Sequence, residues 1–217
     1  MKRVVVCAGG PREELPDFQQ FARAETIFIG VDRGALQLVR NGIIPIEAVG
    51  DFDSVNAEEF QEIATVVEQV GTFQAEKDET DTELAVERAI AYAPEEIVLI
   101  GVTGGRLDHF ESAMHLMYRM QQQNEGIRFS VRNRVNELSF YRPGVHRVKR
   151  KDELPYMSFF SYGRTVEGLT LTGFKYETVN ATLEMGMTRF TSNEPIAEVC
   201  TISFRQGICL MVRSSDS

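Results

Sequence analysis

Two different hydrophobic patterns divide this 217-residue chain. Up to about Arg132, short runs rich in β-branched residues, such as 4–7 and 26–31, alternate with segments of helical period. From Asn136 onward the helical period disappears, and runs of four to eight residues are separated by glycine-containing turns. These runs predict strands at 138–141, 145–148, 157–161, 168–172, 188–191, 199–204 and 208–212. The first pattern predicts a parallel sheet covered by helices, and the second predicts an antiparallel sandwich or barrel. We therefore expect an α/β domain over 1–135 and an all-β domain over 136–217.

Capping signals predict where three helices of the first domain begin. A polar residue followed three places later by Glu occurs at Asn56, Thr80 and Asp108. The signals predict helices over 57–67, 84–93 and 110–123.

Charge and cysteine content exclude several classes of protein. The chain has 23 Lys+Arg against 32 Asp+Glu, a net charge of -9, which disfavours binding to nucleic acid or to anionic lipid. Its apolar runs are all shorter than the roughly 18 residues that a membrane-spanning helix needs. Cys7, Cys200 and Cys209 are an odd number without metal-type spacing, which indicates buried thiols in a reducing compartment. We expect a cytoplasmic protein.

Acidic residues follow several predicted strands of the first domain. Asp32 follows one strand, Asp51 and Asp53 follow the next, and Asp78 and Asp81 follow a third. Because the carboxyl ends of parallel strands meet at one edge of a sheet, these side chains are expected to converge. Any one of them could serve simply as a helix cap, but capping does not explain a second acid in two of the turns.

A divalent cation explains the paired acids better than capping does. Several carboxylates at one rim repel each other unless a cation lies among them, and oxygen ligands without a His or Cys cluster favour Mg²⁺ over zinc. The following turn carries Gly104, Gly105 and Arg106. Glycine allows close backbone approach, and a guanidinium suits phosphate oxygens at a helix start. Standard P-loop, dinucleotide and serine-hydrolase motifs are missing, so the pattern suggests a magnesium-polyphosphate site of another type.

Six short motifs together resemble the thiamin pyrophosphokinase family across nearly the whole chain. They are Asp32-Arg33-Gly34-Ala35, Gly50-Asp51-Phe52-Asp53-Ser54, Lys77-Asp78-x-Thr80-Asp81, Gly104-Gly105-Arg106-Leu107-Asp108-His109, Gly173-Phe174-Lys175-Tyr176 and Thr191-Ser192-Asn193. Their order, and the change of structural class between the fourth and the fifth, make the resemblance specific.

The resemblance implies a reaction and the residues that carry it. The family transfers the pyrophosphoryl group of Mg-ATP to thiamin, giving thiamin diphosphate and AMP, and the resemblance implies a homodimer with shared active sites. Magnesium ligands are then expected at Asp51, Asp53 and Asp81, with Asp78 in support. The nucleotide and phosphate site is expected to include Asp32, Arg33, Gly34, Gly104, Gly105, Arg106, Asp108 and His109. Asp51 or Asp53 is expected to accept the proton of the thiamin hydroxyl, and Arg106 to neutralise developing charge.

The predicted thiamin site in the β domain rests on the resemblance alone. It assigns Tyr176, Thr191, Ser192 and Asn193 to thiamin, although some relatives carry Trp in place of Tyr176 and this chain has no Trp. Two other functions use the same acids: a magnesium-dependent nucleotide hydrolase, and a non-catalytic module that senses nucleotides. The kinase is preferred to both, because Asp78, Asp81 and the run from Gly104 to His109 add groups that a passive binder would not need.

Overall fold

The computed structural model describes residues 2–21, 25–72 and 79–216. It divides the chain into two compact units. The first consists of Met1–Met120 with Asn124–Arg134, and the second of Gln121–Gln123 with Val135–Ser217.

The first unit is a parallel sheet flanked by helices. Its strands lie in the order β4-β3-β2-β1-β5-β6, and all neighbouring pairs run parallel. The elements in chain order are β1 Arg3–Cys7, β2 Thr26–Val31, α1 Arg33–Arg40, β3 Glu47–Gly50, α2 Ala57–Val66, β4 Gln69–Thr72, α3 Asp81–Ala91, β5 Glu96–Ile100, α4 Leu107–Gln123 and β6 Arg128–Arg132. This confirms the predicted α/β architecture.

The central strands are buried from end to end. Every residue of β1 and β5 is inaccessible or nearly so, as a strand covered on both faces must be. Helix α1 approaches β1 so closely that a Cβ at Gly34 would fall 1.9 Å from the carbonyl oxygen of Cys7. Glycine at position 34 is therefore a packing requirement.

Two of the three capping predictions are confirmed, and the third is wrong. Asn56 forms a complete capping box with Glu59 at the start of α2, and Thr80 caps α3. Helix α4 instead begins at Leu107, so Asp108 lies in its first turn. The Asp108 carboxylate accepts hydrogen bonds from the guanidinium of Arg106 and from its neighbour's N–H, which leaves it no capping role. Within the described ranges, no helix combines the length and apolar character needed to cross a bilayer.

The second unit consists of two antiparallel sheets. Its strands are β7 Asn136–Tyr141, β8 Gly144–Lys149, β9 Tyr156–Ser161, β10 Val166–Thr172, β11 Thr178–Leu183, β12 Val199–Phe204 and β13 Cys209–Ser214. One sheet has the order β7-β13-β9 and the other β11-β10-β12-β8. Buried side chains of both sheets, including Phe159, Leu169 and Ile202, form one hydrophobic cluster. The predicted antiparallel β domain is confirmed as a sandwich.

One predicted strand of this unit, 188–191, is wrong. Thr191 instead closes a turn, because its N–H and its hydroxyl both donate to the carbonyl of Thr188. The strand that the prediction missed is β11, which lies at the edge of its sheet. Its pairing with β10 shifts register, and Asn180 has a φ of 54°, so regular alternation is lost.

Candidate active site

A cavity of about 450 Å³ opens where the parallel strands of the first unit end. It is lined by residues at or after the ends of β1, β2 and β5, namely 8–11, 31–32, 101–103 and 105–106. We call the part formed by 8–11 and Gly101 the floor of the cavity. Further side chains come from 53–54, from the start of α3 at 80–82, and from α4 at His109, Ser112, Ala113 and Leu116. Parallel topology thus brings together residues that are far apart in sequence.

Three acidic side chains converge at this cavity. One carboxylate oxygen each of Asp32, Asp51 and Asp81 lies within 4.8 Å of the other two. Asp32 and Asp81 also line the cavity. The sequence predicted the convergence of Asp51 and Asp81, but it assigned Asp32 to the nucleotide and not to the metal.

The backbone after β3 wraps around the carboxylate of Asp32. The N–H of Phe52 donates to Oδ1 of Asp32 at 3.1 Å. A Cβ at Gly50 would fall only 1.8 Å from the same oxygen, and Gly50 has a φ of 147° that favours glycine. Asp32 and Phe52 themselves adopt positive φ values of 47° and 60°. The hydrogen bond from Phe52 and the close approach of Gly50 hold Asp32 in one orientation beside the other acids.

The environment of Asp32 opposes its negative charge. Burial raises the pKa of Asp32 to about 6, and the neighbouring charges of Asp81, Asp51 and Asp53 add to the rise, while the hydrogen bond from Phe52 opposes it. A divalent cation among the carboxylates would relieve this repulsion. Three carboxylate oxygens at this spacing are the hard ligands that Mg²⁺ prefers, so the residues present fit a magnesium ion.

Of the other two predicted magnesium ligands, only Asp53 lies in the described part of the chain, and it does not fall in this group. Asp53 is exposed and lines the cavity, and its N–H donates to Oδ1 of Asp51 at 3.0 Å. Asp53 is not among the described acids whose oxygens converge. Asp78 lies outside the described residues. Ligation by either residue stays a prediction.

The turn before α4 supplies a cation to the cavity. Gly105, Arg106 and His109 line it. The guanidinium of Arg106 is exposed, and both carboxylate oxygens of Asp108 accept hydrogen bonds from it at 3.1 and 2.6 Å. Arg106 in turn holds the pKa of Asp108 down at about 2, so the pair is fully ionised at neutral pH. Gly104 has a φ of 78°, and a Cβ there would fall 2.2 Å from Cγ of Glu14.

Two residues that were predicted to bind the nucleotide contact other parts of the protein instead. The guanidinium of Arg33 donates to the carbonyl of Ser54 at 3.2 Å and lies 3.7 Å from the carboxylate of Glu59. Gly34 packs on β1, as described above. Neither belongs to the described cavity lining.

The segment that follows β1 was not among the predicted site residues. Gly9 and Gly10 form part of the cavity floor, and Thr103 contributes to its wall. The signal was present in the sequence, because Gly9 and Gly10 follow the apolar run 4–8. The same strand-end rule that selected Asp32 applies to it.

In the second unit, the predicted thiamin residues lie in two neighbouring segments. Tyr176 is 61% exposed, and Nζ of Lys175 lies 5.6 Å from the centre of its ring. Ser192 is exposed with a φ of 56°, and its N–H donates to Oγ of Ser158 at 2.9 Å. Thr191 is exposed, whereas Asn193 is only 2% exposed. Hydrogen bonds between Asn193 and Tyr176 tie the two segments together.

Comparison with known proteins matches both halves of this arrangement. Residues 18–129 match the model of the thiamin pyrophosphokinase catalytic domain, and residues 145–209 match that of the thiamin pyrophosphokinase vitamin B1 binding domain. The thiamine pyrophosphokinase of Bacillus subtilis is 38% identical over 216 residues, which cover 100% of both chains. The chain belongs to the thiamin pyrophosphokinase family.

Solved structures of thiamin pyrophosphokinases have the same fold. The crystal structure of the Bacillus subtilis enzyme matches with a TM-score of 0.93 at 37% identity, covering 100% of both chains. That of the Geobacillus thermodenitrificans thiamin pyrophosphokinase matches with a TM-score of 0.90 at 37% identity, covering 100% of this chain and 99% of that one. The α/β unit followed by a β-sandwich is thus the architecture of thiamin pyrophosphokinases.

Proposed function

We propose that this chain transfers the pyrophosphoryl group of ATP to the hydroxyl of thiamin, giving thiamin diphosphate and AMP. The observation that carries the proposal is the group of Asp32, Asp51 and Asp81 at a cavity formed by the carboxyl ends of parallel strands. Membership of the family supports the same reaction. The α/β domain, 1–135, is proposed to bind ATP, and the β domain, 136–217, to bind thiamin, in agreement with the two domain matches.

Magnesium is proposed as the metal that this reaction requires. Asp32, Asp51 and Asp81 would hold it, with Asp78 as a further candidate. Bound there, Mg²⁺ would supply positive charge to the phosphate oxygens of ATP. Without it, three negative side chains would face a polyanion.

Arg106 and His109, which line the cavity, are proposed to bind the phosphate chain. The guanidinium of Arg106 presents planar N–H groups suited to phosphate oxygens. Asp108 orients that guanidinium through two hydrogen bonds. The charge that develops as the phosphoanhydride bond breaks would then meet a cation that is already in place.

Asp53 is proposed to accept the proton of the thiamin hydroxyl. It is exposed, it lines the cavity, and it stands outside the three-acid group, so its carboxylate is available as a base. The hydroxyl oxygen of thiamin bonds to the β-phosphorus of ATP while its proton passes to Asp53. The bond from the β-phosphorus to the bridging oxygen breaks, and AMP leaves with that oxygen. The remaining contributions are positioning and electrostatics.

Tyr176, Thr191 and Ser192 are proposed to contact thiamin directly. An exposed aromatic ring suits a cationic thiazolium, and an exposed hydroxyl suits a polar edge of the pyrimidine. Asn193 is buried and is proposed to act on thiamin through Tyr176.

A homodimer with shared active sites and a cytoplasmic location are also proposed. The family resemblance supports the dimer, and the three free, buried thiols support a reducing compartment. Light scattering of the purified protein would measure a mass near twice that of the 24.5 kDa chain. A mass of one chain at micromolar concentration would contradict the dimer.

Product analysis tests the reaction itself. The protein is incubated with ATP, Mg²⁺ and thiamin, and the products are separated by chromatography. We expect AMP and thiamin diphosphate in equal amounts, with no ATP consumed when thiamin is omitted. Release of phosphate or pyrophosphate without thiamin would instead show a nucleotide hydrolase, and binding of ATP without turnover would show a sensing module.

A further inference from the structure

Two backbone segments meet at the floor of the cavity, with no room for side chains between them. The N–H of Gly10 donates to the carbonyl of Gly101 at 2.7 Å. A Cβ at Gly10 would fall 2.4 Å from that same oxygen, and a Cβ at Gly101 would fall 2.1 Å from the carbonyl oxygen of Ala8. The segments after β1 and β5 are thus in direct backbone contact where Gly9 and Gly10 line the cavity.

The peptide between Gly10 and Pro11 needs to be held by an outside group. Proline has no N–H, so the carbonyl of Gly10 is the one polar group through which this peptide can form a hydrogen bond. Glycine restricts its own backbone angles little. If the peptide rotated, its partially negative oxygen could turn toward the phosphates of a bound nucleotide.

Gln37 reaches this carbonyl from helix α1. Its Nε2 donates to the carbonyl oxygen of Gly10 at 2.8 Å. The side chain is half-buried and does not belong to the described cavity lining, so it reaches the floor from behind. Its other polar atom, Oε1, is buried and has no hydrogen-bond partner among the described residues.

The unpaired Oε1 of Gln37 bears on the role of this residue, because burial of an acceptor without a hydrogen bond opposes folding. An apolar side chain of similar shape would avoid this cost. A glutamine that serves stability alone would be a poor choice at this position. Compared with an apolar side chain, the amide of Gln37 adds a hydrogen bond to the carbonyl of Gly10, which belongs to the floor of the cavity.

We propose that Gln37 is a positioning residue of the nucleotide site. It fixes the Gly10–Pro11 peptide so that the carbonyl of Gly10 faces α1 and the floor stays open to the phosphates. The proposal rests on the binding of ATP in this cavity. It predicts that Gln37 governs affinity for ATP and has no effect on affinity for thiamin.

Gln37→Met tests the proposal because methionine keeps the length of the side chain and removes both the donor and the unpaired acceptor. We expect the KM for ATP to rise about three- to tenfold, which is the effect of losing one net hydrogen bond. The Kd for ATP in the presence of Mg²⁺, measured by calorimetry, is expected to rise by a similar factor. The KM for thiamin is expected to stay constant. The melting temperature is expected to change little, because the loss of the buried unpaired oxygen offsets the loss of the hydrogen bond to Gly10.

Gln61→Met is the matched control. Gln61 is an exposed residue of α2, so the same chemical change there should alter neither affinity. Gln37→Leu is a second apolar variant, in case methionine disturbs packing. Unchanged ATP affinity in a folded Gln37 variant would overturn the proposal. So would a lower melting temperature with equal losses for ATP and thiamin, since that pattern shows a purely structural role. Failure of the wild-type protein to bind ATP would overturn the proposed function itself, and this is seen before any variant is measured.

Discussion

The side chain of Asn193 exchanges two hydrogen bonds with the backbone of Tyr176. Its Nδ2 donates to the carbonyl of Tyr176 at 2.9 Å, and its Oδ1 accepts from the N–H of Tyr176 at 3.0 Å. The same Oδ1 also accepts from the N–H of Glu194 at 2.9 Å. All these polar groups are used within the protein, and Asn193 is 2% exposed. We infer that Asn193 holds the segment that carries the Tyr176 ring.

Asn193→Asp tests this inference with a minimal change of shape. A carboxylate cannot donate to the carbonyl of Tyr176, and it places a second acceptor against that buried oxygen. We expect the KM for thiamin to rise about tenfold or more, with the KM for ATP unchanged. Steady-state kinetics with each substrate varied in turn measures both values. A parallel rise in the two KM values would show that the effect is not confined to the thiamin segment and would contradict the inference.

Tyr176 is predicted to contribute its ring and not its hydroxyl. Tyr176→Ala is expected to raise the KM for thiamin far more than the KM for ATP, because a cationic ligand loses an aromatic face worth about 0.5–2 kcal/mol. Tyr176→Phe is the matched control, which keeps the ring and should stay within about twofold of the wild type. Equal effects of Tyr176→Ala on both substrates would remove this residue from the thiamin site.

Removal of one acid from the three-acid group should have opposite effects on activity and on stability. We expect Asp51→Asn to reduce turnover at saturating Mg²⁺ at least about 100-fold, since a metal ligand is lost. The same variant should melt at a higher temperature without metal, because one of three mutually repelling carboxylates becomes neutral. Thermal melts with and without Mg²⁺ measure this, and the variant should gain less stability from the ion than the wild type does.

Asp152→Asn provides the control for that experiment. Asp152 is an exposed acid of the second unit, paired with Arg150, so the loss of its charge should change neither turnover nor the response to Mg²⁺. Near-normal turnover of folded Asp51→Asn would show that Asp51 does not hold the ion.

The ion pairs of Glu96 are expected to make the stability of the fold depend on pH in the acid range. Its carboxylate has no exposed surface and forms ion pairs with Arg3, Arg128 and Arg132. Burial by itself would raise the pKa of Glu96, but the positive charges of the three arginines outweigh burial and lower the pKa below its ordinary value of 4.5. A lowered pKa means that ionised Glu96 stabilises the fold above pH 4.5. This stabilisation is lost as the pH falls through the lower, folded-state value.

Glu96→Gln is therefore expected to lower the free energy of unfolding at pH 7 by about 3 kcal/mol, because the buried Arg3 and the mostly buried Arg132 lose this charged partner. The difference from the wild type should shrink progressively below pH 4.5. Urea unfolding at several pH values measures it. Glu62→Gln, which breaks an exposed pair with Arg40, should have little effect at any pH. If the difference in the free energy of unfolding between Glu96→Gln and the wild type did not depend on pH, the ion pairs of Glu96 would not be the cause of the loss of stability in acid.

The sequence predicted the architecture because hydrophobic period is a local property. Alternating strands and helices require a parallel sheet, and a parallel sheet brings Asp32, Asp51 and Asp81 to the same edge. Errors occurred where a polar side chain had two possible partners. Asp108 binds Arg106 instead of capping α4, and Thr191 closes a turn instead of continuing a strand.

The finer geometry of the site came from the tertiary structure. Which acids converge depends on the close approach of Gly50 and Phe52 to the carboxylate of Asp32, and Asp53 is not among the described acids that converge. The burial of Asn193 and the reach of Gln37 to Gly10 likewise join segments that are distant in sequence. Residue types and their period determined the elements and the edge at which chemistry occurs. The partner of each polar group was decided only by packing, because a hydrogen bond requires distances of about 3 Å that a one-dimensional pattern does not contain.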